Sequence, residues 1–204
     1  MPIVQRYIIP YFIFYIFEPM IKNCFKKIAS NGKRYLSNPI IVICSGTGGQ
    51  CVCFHKLSIK SIGIDINFNL LSFSKNRYPD IPFVCCDAGK LPFKQNVFKG
   101  VVFSFALHDK TPQLREQFII EAKRVSVSGG YFAVTDIGIP KNLIEKISHM
   151  VTIVSELFSG HYLNGIDFLK RSTIEKIASQ HNLSIGLRFP NGLRNAETVF
   201  LQKP

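Results

Sequence analysis

The chain has 204 residues, 47% of them hydrophobic and 19% charged, a composition that forms a core and excludes wholesale disorder. A net charge of +12 favours anionic partners, but the basic excess is spread along the chain, so nucleic acid is an unlikely partner. No apolar run approaches the ~18–20 residues of a membrane-spanning helix; the longest, 7–17, ends at Glu18. The length predicts one domain with at most a small extension.

The first 38 residues read as a helical extension of a domain at 39–204. Apolar side chains recur there at near-helical spacing, at Phe14, Phe17, Ile21, Phe25 and Ile28. Lysines gather on the opposite face, which predicts an amphipathic helix. Such a helix either closes over a pocket as a lid or lets residues 1–30 contact an anionic membrane surface.

The six cysteines lack the paired spacing of a zinc site, so we expect no metal. Most lie in apolar stretches, where a reduced thiol behaves as a small hydrophobe. A cytoplasmic protein is the corresponding expectation, with peripheral membrane contact through the N-terminal helix as a second option.

From residue 40 onward, predicted strands alternate with predicted helices. The strands are 40–44, 61–66, 82–86, 97–105 and 131–136. The first intervening helix follows the glycines at 46–49 and runs to about residue 57. The next two helices span 68–77 and 112–125. The tail adds helices at 141–158 and 168–182, and strands at 184–189 and 197–201 with a turn at 190–192. This order predicts a doubly wound α/β, Rossmann-like fold with a seven-stranded, mostly parallel sheet and a C-terminal antiparallel hairpin.

Ligand-binding residue types stand at the ends of four consecutive strands. Gly46 and Gly48 follow the first, Asp65 ends the second, Asp87 follows the third, and 104–109 end the fourth. Ligands of open α/β sheets bind beyond the carboxyl ends of the strands. An acid 19 residues after the first of these glycines (65 − 46) can accept both ribose hydroxyls of a nucleoside. The pattern therefore predicts a nucleoside-containing cofactor.

The same stretches resemble class I S-adenosylmethionine-dependent methyltransferases, nearest to the methyltransferase type 11 subgroup of quinone-biosynthesis C-methyltransferases. The resemblance rests on IIVICSGTGG (40–49), GIDI (63–66), CDAGKLPF (86–93), ALHD (106–109), EAKRV (121–125) and GG (129–130). It implies S-adenosyl-L-methionine as the cofactor. The implied cofactor-binding residues are Cys44, Gly46, Thr47, Gly48, Asp65, Ile66, Asp87, Ala88, Ser104 and Phe105.

Each of these residues has an implied role. The loop at 44–48 would pass under the methionine and ribose, and Asp65 would take the ribose hydroxyls with Ile66 against the adenine. Asp87 would accept the adenine amino group with Ala88 beside it. Residues 104–105 would line the methionine end.

The chain departs from the family pattern at three positions. Val42 stands where the family has an acid before the loop, and Cys44 replaces the first loop glycine. Lys99 replaces an acid at the start of the fourth strand. Val42 and Lys99 keep open a non-catalytic partner protein with a vestigial pocket. The loop Gly46-x-Gly48 with an acid 19 residues on also fits an NAD-dependent oxidoreductase. An RNA methyltransferase is the remaining alternative to a small-molecule methyltransferase.

His108 is the candidate catalytic residue. Methyl transfer from a sulfonium needs a general base only when the acceptor must lose a proton, and His108 lies just past the fourth strand. No Asn/Asp-Pro-Pro-aromatic motif follows that strand, which speaks against methylation of an amino group of adenine or glutamine. A small, apolar, quinone-like or lipid-like acceptor is the favoured partner.

Overall fold

The computed structural model describes residue 15 and residues 18–138, 162–171, 173–191 and 196–204. Its helices are α1 Glu18–Tyr35, α2 Gly49–His55, α3 Phe68–Arg77, α4 Pro112–Val125, α5 Tyr162–Arg171 and α6 Ile174–Gln180. Its strands are β1 Ile40–Ile43, β2 Ser61–Asp65, β3 Phe83–Cys85, β4 Phe98–Ser104, β5 Ser126–Ile137, β6 Ser184–Pro190 and β7 Ala196–Gln202. The helix predicted at 141–158 lies outside the described residues.

The seven strands form one sheet in the order β3-β2-β1-β4-β5-β7-β6. Strands β1 to β5 pair in parallel, whereas β7 is antiparallel to both β5 and β6. The chain builds outward from β1 to β3 and then returns to start β4 on the other side of β1. This reversal of strand order creates a crevice beyond the carboxyl ends of β1 and β4. The predicted fold class is confirmed.

Strand β1 is buried on both faces of the sheet. Ile41 and Ile43 pack into one core with the apolar side of α4. Ile40 and Val42 pack into a second core with α1 and α2. Because successive side chains of a strand point to opposite faces, a continuous β-branched run suits a strand covered on both sides.

Helix α1 is amphipathic and belongs to the second core. Ile21, Phe25 and Ile28 are buried, and they share a cluster with Ile40 and Phe54. The lysines of its opposite face are exposed. The prediction is confirmed for the described part of the helix, while 1–14 and 16–17 lie outside it. The boundary at residue 38 and the lid stay predictions.

The single helix predicted at 168–182 differs from the structure, which has α5 and α6 instead. The break falls just before α6, where Thr173 adopts φ −56° and ψ 159° as the N-cap residue of that helix. An extended ψ at this position cannot continue a helix, and Thr is a common N-cap residue.

Strand β5 is longer than predicted, because it starts at Ser126 directly after α4. The sequence predicted that this strand begins at residue 131, after the glycine pair at 129–130. Instead, Gly129 takes φ +72° within β5, beside a register shift in the pairing with β4. A glycine at positive φ lets a strand carry such an irregularity without ending.

Within the described residues, no helix combines the length and apolarity required to cross a membrane.

Candidate functional site

The loop between β1 and α2 has two glycines in the left-handed conformation. Gly48 has φ +83°, and a Cβ added there would lie 2.8 Å from the Phe83 ring, so the position requires glycine. Gly46 has φ +53°, and a Cβ added there would meet nothing within 4 Å. Thr47 between them is buried. The loop is thus anchored at Gly48 and presents open backbone at Gly46, where a ligand can approach closely.

Cys44 begins this loop at φ +56°, a conformation that favours glycine. Burial raises the pKa of its thiol to about 12, and the nearby Asp65 carboxylate contributes to the rise. The thiol is therefore neutral at physiological pH and is no nucleophile. The structure places Cys44 at the base of the predicted cofactor loop, with the backbone shape of the glycine it replaces.

Asp65 joins the end of β2 to the glycine loop. Its Oδ2 accepts a hydrogen bond from the Gly46 N–H at 2.9 Å, and its Oδ1 accepts one from the Asn67 N–H at 2.9 Å. Each carboxylate oxygen has a second lone pair available to a ligand. The carboxylate is therefore held in one orientation next to the open part of the loop.

Two further predicted residues flank this edge of the sheet. Ile66, directly after Asp65, is 73% exposed, which is unusual for so large an apolar side chain. Asp87 follows β3 and is exposed, and its Oδ1 accepts a hydrogen bond from the Gly89 N–H at 2.8 Å. Ala88 is buried in the first core, so it supports the loop from below.

Helix α4 holds the loop that contains Asp87. The Glu121 carboxylate accepts a hydrogen bond from the Leu91 N–H at 2.8 Å. The Arg124 guanidinium pairs with Glu121 and donates to the carbonyls of Leu91 and Phe93. The 86–93 and 121–125 motifs therefore form one hydrogen-bonded unit, although 30 residues separate Leu91 from Glu121.

Ser104 at the end of β4 is linked to α1 through Gln50. The Ser104 Oγ donates to Gln50 Oε1 at 3.3 Å, and Gln50 Nε2 donates to the Phe25 carbonyl at 3.2 Å. Gln50 was not among the predicted residues, because a glutamine at the start of a helix carries no signal of its own. Phe105 follows at φ +55°, and its N–H donates to the Thr135 carbonyl at 2.8 Å.

His108 is buried and is held by Asp136 at the end of β5. The His108 Nδ1 lies 2.5 Å from Asp136 Oδ1, and Asp136 is completely buried. Asp136 Oδ2 also accepts hydrogen bonds from the N–H groups of Leu107 and His108. Asp136 was not among the predicted residues, although it ends a predicted strand and so carries the same signal as Asp65 and Asp87.

Arg115, also missed, fixes the loop after β4 to α5. Its buried guanidinium donates to the carbonyls of Leu107 and Lys110 and pairs with Asp167 at 2.9 Å. Another of its nitrogens donates to the Asn164 carbonyl at 2.8 Å. Five donors in a planar fork allow one arginine to tie a loop to a helix in this way.

The crevice is acidic. Asp65, Asp109 and Asp87 lie close enough to Cys44 to raise its pKa, whereas only Lys110 lowers it. Burial lowers the pKa of Lys110, but Asp109, 2.7 Å away, produces a net rise that keeps this ammonium charged. Among the described residues, the buried Asp109 Oδ1 has no hydrogen-bond partner. The edge of the sheet thus carries an excess of carboxylates, which suits a ligand with positive charge.

Known proteins share this architecture. Residues 42–134 match the methyltransferase domain family. A demethylmenaquinone methyltransferase from Renibacterium salmoninarum is 29% identical over 101 residues, which are 50% of this chain and 42% of that enzyme. The chain therefore spans less than half the length of this curated relative.

Two solved structures show the same fold. A protein from Pyrococcus horikoshii has a TM-score of 0.70 at 13% identity, with 93% of this chain and 92% of that chain covered. A SAM-dependent methyltransferase from Methanosarcina mazei has a TM-score of 0.63 at 18% identity, with 84% and 95% covered.

Together, the strand order, the glycine loop and the family match show that residues 42–134 form a methyltransferase domain with the fold of class I S-adenosylmethionine-dependent methyltransferases. Its sequence relatives include quinone-biosynthesis C-methyltransferases, which is the subgroup that the resemblance predicted.

Proposed function

We propose that this protein transfers the methyl group of S-adenosylmethionine to a small, apolar, quinone-like or lipid-like acceptor. The observation that carries the proposal is the Asp65 carboxylate, which backbone N–H groups of Gly46 and Asn67 orient beside the open glycine loop. A carboxylate with two oriented oxygens next to bare backbone matches the vicinal hydroxyls of a ribose.

The remaining predicted residues fit the other parts of the cofactor. Ile66 offers an exposed apolar face for the adenine, and Asp87 an exposed acceptor for its amino group. Ser104 ends β4 and Phe105 follows it on the other side of the switch point, where the methionine part would lie. When bound, S-adenosylmethionine supplies an already activated methyl group, so the protein mainly has to position donor and acceptor.

The charge of the crevice also fits. S-adenosylmethionine carries a sulfonium and an ammonium against one carboxylate. Val42, where the family has an acid, is buried among apolar side chains and offers no charge. The carboxylates of Asp65, Asp87 and Asp109 supply the negative field in its place.

His108 and Asp136 form the proton-accepting pair of the proposal. A proton on Nδ1, facing the Asp136 carboxylate, leaves Nε2 as the basic nitrogen of the imidazole. Asp136 would also stabilise the imidazolium that forms when Nε2 takes a proton from a phenol or an acidic carbon. His108 is the catalytic residue of this proposal, and Asp136 positions it.

The acceptor class rests on the relatives. One of them is a demethylmenaquinone methyltransferase, and the proposal takes its quinone-like acceptor from that likeness. A buried base at His108 would suit an acceptor that must lose a proton. The NAD alternative is weaker, because the third glycine of its fingerprint is replaced by Cys51, whose side chain is completely buried in α2.

Calorimetric titration of the purified chain with three ligands tests the cofactor. We expect S-adenosylmethionine and S-adenosylhomocysteine to bind, each more tightly than NAD. Binding of NAD alone would overturn the proposal in favour of an oxidoreductase, and binding of none of the three would favour a non-catalytic partner protein.

A transfer assay with a radiolabelled methyl donor tests the acceptor. We expect label in naphthoquinol-like or lipid-like compounds and none in RNA. Label in RNA alone would keep the cofactor assignment and reject the acceptor.

A further inference from the structure

A groove of about 590 Å³ lies between α1 and α2 on one face of the sheet. Its apolar walls include Phe25 and Ala29 on α1, and Val52 and Leu57 on or just after α2. Two small residues, Ala29 on α1 and Gly49 on α2, also line the groove. Its volume is in the range of small-molecule sites, about 300–1,000 Å³.

Lysines surround this apolar groove. Lys22 and Lys26 lie one turn apart on α1, and Lys56 stands on the opposite wall at the end of α2. All three are exposed, and none pairs with an acidic side chain among the described residues. No acid is found among the described residues that line the groove. Lys27 differs, because its Nζ donates to the Pro190 carbonyl at 3.3 Å.

We propose that this groove binds a free long-chain fatty acid or a similar single-chain anion as a monomer. The hydrocarbon chain of the ligand would lie against the apolar walls, and its burial would provide most of the affinity. The carboxylate head would lie among Lys22, Lys26 and Lys56. The groove lies between α1 and α2, on the face of the sheet that these two helices cover. The proposed cofactor site lies at the carboxyl ends of the strands, so the two sites are distinct.

The groove is nevertheless connected to the glycine loop. Gly49 lines the groove and directly follows Gly48, and Gln50 binds the Phe25 carbonyl across the two helices. A ligand that fills the groove would bridge the same helices. The proposal does not depend on methyl transfer, and its test uses a different ligand.

Calorimetric titration of the delipidated full-length protein with oleate below its aggregation concentration tests the proposal. We expect one oleate per chain, and at least about tenfold weaker binding of oleyl alcohol, which has the same chain without the charge. Butyrate, which has the charge without the chain, should not bind.

Two variants test the location of the site, and a third serves as the control. Lys22→Glu with Lys26→Glu should weaken oleate binding at least about tenfold, whereas Lys33→Glu, exposed on α1 but outside the groove, should not. Val52→Phe fills the groove and should abolish oleate binding. Because the lysines are exposed, the charge variants stay informative even where Val52→Phe fails to fold.

Several results would overturn the proposal. They are equal binding of oleate and oleyl alcohol, equal losses in the Lys33→Glu and Lys22/Lys26 variants, and unchanged oleate binding by folded Val52→Phe. Sedimentation with phosphatidylglycerol vesicles without binding of monomeric oleate would show surface attraction to a membrane and would reject the groove as a site.

Discussion

Asp65 combines two roles at the scale of single residues. It accepts hydrogen bonds from the Gly46 and Asn67 N–H groups, and so holds the start of the glycine loop against the end of β2. The same carboxylate is the proposed ligand of the ribose. Because the loop is ordered by the protein's own contacts, its shape before binding already suits the cofactor, which lowers the entropic cost of binding.

Replacement of Asp65 tests this dual role. Asp65→Ala removes charge-assisted hydrogen bonds worth about 1.5–3 kcal/mol, and should weaken S-adenosylmethionine binding about 10–150-fold. Calorimetry measures the change. The matched control is Asp80→Ala, an exposed acid in the turn before β3, which should bind as the unmodified protein does. Equal losses in the two variants would contradict the assignment.

The pair His108 and Asp136 allows a test of proton transfer. Asp136→Asn keeps the shape of the side chain but removes its charge, so kcat should fall about 10²–10⁴-fold with little change in cofactor affinity. His108→Gln should cause a similar fall, and the double variant should add little to it, because the two residues act as one unit.

The pH profile of kcat separates catalysis from structure in these variants. Catalysis by a general base makes kcat depend on pH, and this dependence should be absent from His108→Gln. A variant that keeps the profile of the unmodified protein would leave only the structural role, in which Asp136 holds the backbone of the loop after β4.

At the scale of elements, α4 and α1 support the crevice from opposite faces of the sheet. Helix α4 ties down the loop after β3 through Arg124 and the loop after β4 through Arg115. Helix α1 reaches the end of β4 through the contact of Phe25 with Gln50. The crevice is therefore shaped by helices that lie outside it.

The packing of α1 predicts a large effect on stability. Ile28→Ala removes a completely buried side chain from the second core and should lower the free energy of unfolding by about 2–5 kcal/mol. Lys33→Ala, exposed on the same helix, should change it by about 0.5 kcal/mol at most. Urea unfolding measures both. Equal stability of the two variants would mean that α1 is a detachable lid.

At the scale of the whole molecule, the charge distribution is uneven. The chain has a net charge of +12, yet carboxylates predominate around Cys44 in the crevice. The lysines of α1, in contrast, are exposed to solvent on that helix. A cationic cofactor and an anionic amphiphile would thus be attracted to different parts of one small protein.

The sequence predicted the parallel half of the fold well, because each strand there is a short β-branched run between clear loop signals. Phe68–Arg77 and Pro112–Val125 were predicted to the residue. The split between α5 and α6 was missed, because the apolar spacing continues through Thr173 although its backbone does not. A periodic apolar pattern indicates which face of a helix is buried, but it does not reveal a single residue with an extended backbone.

The sequence singled out candidate site residues where they stand at strand ends, as at Asp65 and Asp87, and their roles in binding stay predictions. The hydrogen bonds that orient those residues were not predictable. Gln50, Arg115 and Asp136 act across elements that lie far apart in the chain, and only the folded sheet brings them together.

The position of β7 between β5 and β6 has a consequence for the order of folding. The β5–β7 ladder joins residues 59 to 71 positions apart, from Ile137 with Ala196 to Tyr131 with Gln202. Strands β1 to β5 can assemble through successive short crossovers, whereas β6 can enter the sheet only after β7 has paired. Closing so long a loop is entropically costly and slow. Until it closes, the edge of β5 is an open template, and a partly folded chain is there most exposed to pairing with another copy of itself.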